Sequence, residues 1–154
     1  MSDNGFELSV SRHIAAPPAV VWRIMTERTT EWWCPKPWRT EIVGNNFRPG
    51  GFNRFIMHGP NGERSESGGV WLEIVPERRM VSTDGFGPDW TPKAGMMVGF
   101  WEVAPEGDGT RYTARAKHWT EEACRQHREM GFEGGWGVVA DQLAELAEAE
   151  AAKG

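Results

Sequence analysis

The sequence predicts an α+β fold in which a curved antiparallel sheet closes around a long C-terminal helix, with two short helices after the first strand. Three observations carry that reading. From Trp38 to His118, short runs that alternate apolar and polar residues are punctuated by Pro, Gly and Asn-Gly signals, the pattern of half-buried strands. From Trp136 onward, Trp136, Val139, Ala140, Leu143, Leu146 and Ala147 recur at helical spacing beside a Glu-rich face. After the first strand, Val20, Val21, Ile24 and Met25 repeat the helical period behind Pro17-Pro18, and proline is tolerated in the first turn of a helix.

In chain order, Phe6, Leu8 and Val10 share one face of a strand that runs to Ile14, and Ala16-Pro17-Pro18 stops it. Residues 17–26 form the first short helix. Thr29 and Thr30 cap a second one through Trp33, and Cys34-Pro35-Lys36-Pro37 ends it, because proline removes a backbone donor and restricts the residue before it. Strands follow over Trp38–Val43, Gly51–His58, Gly69–Val75 and Arg79–Thr83, with Asn61-Gly62 as a turn. Asp84–Ala94 reads as a loop around Trp90, and Met96–Ala104 with Thr110–His118 as a hairpin. Thr120, ahead of Glu121-Glu122, caps a helix expected over about 120–150. Gly131, Gly134, Gly135 and Gly137 lie inside it, so the helix is expected to bend or break there, or to press its backbone on the sheet. Residues 1–154 are assigned to one domain.

Composition narrows the function. The 154 residues are 39% hydrophobic, enough for a core. A net charge of -5 and a pI of about 5.4 argue against nucleic-acid partners, since phosphates are held by clustered cations. No apolar run reaches the ~20 residues that span a bilayer, and Met1–Val10 lacks the pattern of a signal peptide. Cys34 and Cys124 have no paired spacing, and His13 and His58 stand alone, so no disulfide, metal or cofactor is expected and the cytoplasm is the expected location. Nine tryptophans are spread along the chain, where large rings fill a core or line its rim.

Several local motifs stand in a telling order. They are Ile14-Ala15-Ala16-Pro17-Pro18-Ala19-Val20-Val21-Trp22, Trp32-Trp33-Cys34-Pro35, Arg48-Pro49-Gly50-Gly51, Gly69 through Pro76, Gly109-Thr110-Arg111-Tyr112, and Met130 through Trp136. They run from Ile14 to Trp136, and in this order the chain, over about residues 6 to 147, resembles the helix-grip fold of the START-like (SRPBCC) superfamily. Within it the chain resembles the branch of activator of heat-shock-protein-90 ATPase homologues, which includes polyketide cyclase-like proteins. The resemblance implies a deep cavity between sheet and C-terminal helix for a small hydrophobic ligand. Eukaryotic chaperone activators couple this module to a larger N-terminal domain for which 154 residues leave no room, so ATPase activation of a chaperone is not the leading expectation.

Strand alternation nominates the cavity wall. Phe52, Arg54 and Ile56 share a face, as do Val98 and Phe100, and Tyr112, Ala114, Ala116 and His118 oppose the plainly polar Arg111, Thr113, Arg115 and Lys117. Small Ala114 and Ala116 are read as leaving room for a ligand. Trp136 is the aromatic anchor of the glycine-rich helix start. His118 titrates near neutrality and Tyr112 is the sole tyrosine, so these two are the candidates for acid–base or hydrogen-bonding chemistry. Set against that, a histidine at a strand end also reads as bonded to a backbone carbonyl, and Arg54 as an edge residue whose guanidinium reaches solvent. His127 reads as solvated or bonded to a neighbour, Cys34 as a packed thiol and Cys124 as exposed. No Gly-x-Ser-x-Gly elbow or phosphate loop is present.

Three functions stay open on these residues. The leading one is non-catalytic binding of a small hydrophobic or aromatic molecule, as a carrier or sensor. The second is a cyclase- or hydrolase-like enzyme, which needs two polar groups converging in the cavity. The third is an interaction protein, as a homodimer or a chaperone partner, which needs an exposed apolar patch.

Overall fold

The computed structural model describes residues 6–153; Met1–Gly5 and Gly154, which the one-domain assignment includes, lie outside the described residues. Seven strands form one antiparallel sheet in the order β1-β9-β8-β5-β4-β3-β2. The strands are β1 (Glu7–Ile14), β2 (Arg39–Asn45), β3 (Phe52–His58), β4 (Arg64–Val75), β5 (Arg79–Thr83), β8 (Met97–Glu106) and β9 (Gly109–His118). Helices α1 (Pro18–Glu27) and α2 (Thr29–Trp32) follow β1, and α3 (Glu121–Glu129) and α4 (Phe132–Lys153) close the chain. This is the helix-grip architecture, α+β with a long C-terminal helix.

Local chemistry explains most boundaries. Pro18 opens α1, where a missing N–H costs nothing. The Thr120 hydroxyl accepts from the Ala123 amide at 3.0 Å and caps α3. Thr29 does not cap α2 with its side chain; its hydroxyl donates back to the Met25 carbonyl at 3.0 Å. The expected single helix over 120–150 is two, broken at Met130-Gly131, where Gly131 stands at φ 97, a conformation that favours glycine. Most of the glycine run is not closely packed, contrary to expectation. A Cβ at Gly134 or Gly135 would meet nothing within 4 Å, and only Gly137 sits tight, against the Arg12 guanidinium.

The span expected to be a loop, Asp84–Ala94, carries a two-stranded ribbon, β6 (Phe86–Gly87) with β7 (Thr91–Pro92). It lies on the outer face of the sheet, where the Trp90 ring meets Phe52 and Phe86 edge-on. That covering is why both faces of β3 read as apolar.

The core lies between the inner face of the sheet and the helices. Under α4, Val139, Ala140, Leu143 and Ala147 pack with Ile14, Tyr112 and Ala114. Next to them, Phe132 and Cys124 close on Leu8 and Ala116. Ion pairs pin the helices from outside, among them Arg12 to Asp141 at 2.8 Å and Arg28 to Glu150 at 3.5 Å.

Candidate functional site

A partly open cavity of about 150 Å³ lies between the sheet and the short helices, with the exposed Phe47 and Ser67 in its wall. Its apolar walls are Met25, Trp32, Trp33, Phe55, Met80, Met97 and Trp101, with Trp71 and Phe47 toward the β2 end. A volume near 150 Å³ in an apolar interior is about what a benzene ring fills. The cavity sits there because α2 has only four residues and the long helix packs over β1 and β9, leaving β3, β4 and β5 thinly covered.

Most polar groups in the wall are already committed. Asn45 Oδ1 accepts from Trp71 Nε1 at 2.8 Å. The Ser82 hydroxyl donates to the Val70 carbonyl, and that of Thr83 to the Met97 carbonyl. Asp84 Oδ1 accepts from the Met96 and Met97 amides at 2.8 and 3.1 Å. Among the described residues, Trp101 holds the one buried side-chain polar atom without a partner. It is 5% exposed, and its Nε1 has no hydrogen-bond partner. A buried donor left unpaired costs about 1–3 kcal/mol. The ring is held on both flanks, stacked on Trp136 at 5.8 Å and 14° and edge-on to Trp33 at 5.3 Å.

The sequence-nominated residues divide by location. Tyr112, Ala114, Ala116 and His118 do face inward and are buried. None of them lines the cavity, because the space beside the two alanines is taken by α3 and α4. The small side chains admit a helix rather than a ligand. Trp136 likewise stands behind the cavity wall and supports Trp101. Val98 and Phe100 lie on the outer face, opposite Lys117 and Arg115 in the register, and the Arg115 guanidinium covers the Phe100 ring at 4.3 Å. The inward residues of β8 are Met97, Gly99, Trp101 and Val103, paired with His118, Ala116, Ala114 and Tyr112.

On β3, too, the face expected inward turns outward. Asn53 and Phe55 line the cavity, whereas Phe52, Arg54 and Ile56 face outward. Arg54 is exposed and pairs with Glu66 at 2.8 Å, and Phe52 touches Trp90. Ile56 is buried between its cross-strand neighbours Glu41 and Glu66, whose carboxylates hold His58 and Arg54. The hairpin register was the signal that could have corrected β8. Pairing across Gly107-Asp108 sets Trp101 opposite the inward Ala114.

The candidate acid–base groups have structural occupations. The Phe6 carbonyl can only accept, so His118 Nδ1–H donates to it at 2.7 Å. His118 Nε2 then accepts from His127 Nδ1–H at 2.9 Å. His127, expected on a charged stretch, is buried against Phe132 and Trp136. Burial first, and the neighbouring His118 second, hold its imidazole below the ordinary histidine value. Burial pushes the Tyr112 hydroxyl well above the ordinary phenol range, so it does not ionise near neutrality. Cys34 is packed as expected; it accepts from the Thr40 hydroxyl at 3.2 Å, and burial raises its thiol. Cys124 is buried rather than exposed, on the face of α3 that meets Leu8 and Ala116. Neither cysteine is in a disulfide, and no three-residue metal cluster occurs among the described residues. Among them, too, no helix is long and apolar enough to cross a membrane.

Comparison with known proteins agrees with this architecture. The family model for activator of Hsp90 ATPase homolog 1-like proteins matches residues 15–148. A crystal structure from Nitrosomonas europaea is 35% identical, with 98% of this chain and 99% of that one covered, at a TM-score of 0.87. The AHSA1 protein of Silicibacter pomeroyi is 20% identical over 94% and 99% of the two chains, at a TM-score of 0.72. A Mycobacterium smegmatis protein is 23% identical over 92% and 90%, at a TM-score of 0.77. The last two share the fold. No functionally curated protein matches the chain.

Proposed function

The chain belongs to the family of activator of Hsp90 ATPase homolog 1-like proteins, in the START-like superfamily, and on that premise we propose that it binds one small, largely apolar molecule in the cavity beneath α1 and α2 without transforming it. The cavity itself carries the reading: an apolar space of about 150 Å³, one aromatic ring in size, whose side-chain oxygens at Ser82, Thr83 and Asp84 are engaged by backbone groups. His118 and Tyr112, which an acid–base mechanism would draw on, lie outside the cavity wall, and this favours a carrier or sensor over an enzyme.

The test is ligand-dependent stability. A ligand at about 100 times its Kd stabilises the native state by about 2.7 kcal/mol, which raises Tm by several degrees in a chain of this size. One-ring aromatics are expected to do this, and two-ring compounds to fail. Met80→Phe, which fills the space from the wall, is expected to abolish the shift. A panel that leaves Tm unchanged, or a shift that survives Met80→Phe, would overturn the proposal.

A further inference from the structure

We infer that the ligand is a small arylalkyl amine, bound as its ammonium, and that the Asp84 carboxylate is the counter-charge that recognises it. This rests on the proposed binding function and adds the ligand class.

Asp84 is the one ionisable residue in the cavity wall; among the described residues no Lys, Arg or His stands there. Its side chain turns inward. Met80 and Ser82 of β5 line the cavity, and Asp84, two residues past Ser82, continues the same face. It stands across from the inward Met97, whose amide it bonds. The buried His127, on the inner side of the sheet, feels its charge.

One oxygen, Oδ1, accepts from the Met96 and Met97 amides at 2.8 and 3.1 Å, which fixes the carboxylate in place. The other, Oδ2, has no hydrogen-bond or ion-pair partner among the described residues. It is nonetheless within reach of a ligand, since among those residues Trp101 Nε1 alone is both sealed off and unpartnered. A carboxylate beside an apolar wall is costly until a cation or donor meets it. His127 does not supply that cation at neutral pH, because burial holds its imidazole below the ordinary histidine value.

The rest of the wall suits the same ligand. Six aromatic rings, those of Trp32, Trp33, Phe47, Phe55, Trp71 and Trp101, line the space. Aromatic faces attract an ammonium group, and the volume takes one ring. An aryl carboxylate would meet Asp84 as a like charge, and an uncharged hydrocarbon would leave Oδ2 unmet.

Benzylamine and benzyl alcohol are nearly isosteric, and at about pH 7.5 only benzylamine is charged, since alkylamines protonate well above neutrality. Their affinities are to be measured by calorimetry on the native protein and on Asp84→Asn. The substitution removes the charge and keeps an oxygen to accept from the Met96 and Met97 amides. The native protein is expected to prefer benzylamine by roughly tenfold or more, the scale of a hydrogen bond to a charged group. Asp84→Asn is expected to lose that preference through weaker benzylamine binding, with benzyl alcohol bound about as well as before.

Equal affinities for the two probes in the native protein, or a benzylamine preference that survives Asp84→Asn, overturn this inference and leave the binding function standing. If neither probe binds the native protein, the binding function falls as well. Should Asp84→Asn fail to fold, amide NMR of the native protein decides. Benzylamine is expected to shift the Met96 and Met97 amide resonances, which share Asp84 Oδ1, more than benzyl alcohol does. Equal shifts from the two probes overturn the inference.

Discussion

The inner face of this sheet is covered in two different ways. Under α4, the strands β1 and β9 carry Leu8, Ile14, Ala114 and Ala116, and the helices close over them with Phe132, Val139, Ala140 and Leu143 until nothing is open. Under α1 and α2, the strands β3, β4 and β5 give the cavity wall Asn53, Phe55, Ser67, Trp71, Met80 and Ser82, and a cavity remains. Two alanines mark the filled half, and Trp and Met stand among Ser and Asn in the open one. A wall of alanines lets a helix descend to the sheet. A wall of Trp and Met holds the short helices away and leaves the gap between them.

The largest expected effect comes from emptying the filled half. Leu143 is completely buried. Leu143→Ala is expected to lower unfolding free energy by about 2–5 kcal/mol, because the helix cannot collapse into the space left. Urea denaturation measures it. A loss below about 1 kcal/mol would mean that this half is as loosely packed as the other.

Adding volume separates the halves next. Ala114→Val, between sheet and α4, is expected to destabilise by about 1–3 kcal/mol through overpacking. Met80→Phe, at the cavity, is expected to change stability by less than about 1.5 kcal/mol, since its extra atoms enter open space. The contrast collapses if the two substitutions cost the same.

The His118–His127 pair is expected to make stability pH-dependent. His127 has a folded-state pKa below its ordinary value of 6.5, with burial as the main cause, His118 adding to the shift and Asp84 opposing it. The unfolded chain therefore takes up a proton on this residue before the native state does. The sign follows: the stabilisation is intact above about 6.5 and is lost as pH falls below it. Urea midpoints measured between pH 8 and 5.5 are expected to fall, and to fall less steeply in His127→Gln. Parallel curves for the two proteins would remove His127 as the cause.

Much of this arrangement is legible in the sequence, and the misses share one physical origin. Strand order, the short helices and the terminal helix follow from period and punctuation, which local residues set. The cavity does not, because a face is chosen by what covers it. Phe52 and Phe55 are equally apolar, and only the ribbon around Trp90 explains why both are. On β8, Phe100 is outward because Arg115 and Lys117 shelter it, a contact made across the hairpin. Cys124 and His127 are buried on a helix whose composition is strongly polar, since Leu8 and Ala116 arrive from distant strands. The family resemblance implies a cavity beside the long helix, whereas the cavity in the structure lies beside α1 and α2.

The smallest effects lie at the start of α4, where two glycines respond in opposite directions. Gly131 stands at φ 97 and ends the α3 segment, so Gly131→Ala forces an alanine into the left-handed region and is expected to cost about 1–2 kcal/mol. Gly134 lies three residues further on, inside regular helix, and a Cβ there would meet nothing within 4 Å. Gly134→Ala is therefore expected to stabilise by up to about 1 kcal/mol, through lower backbone entropy in the unfolded chain and better helix propensity. A shift of opposite sign in the two Tm values checks the pair. Destabilisation by Gly134→Ala would mean that this helix start bends in solution and that the glycines allow it, which would weaken the distinction between a rigid filled half and an open one.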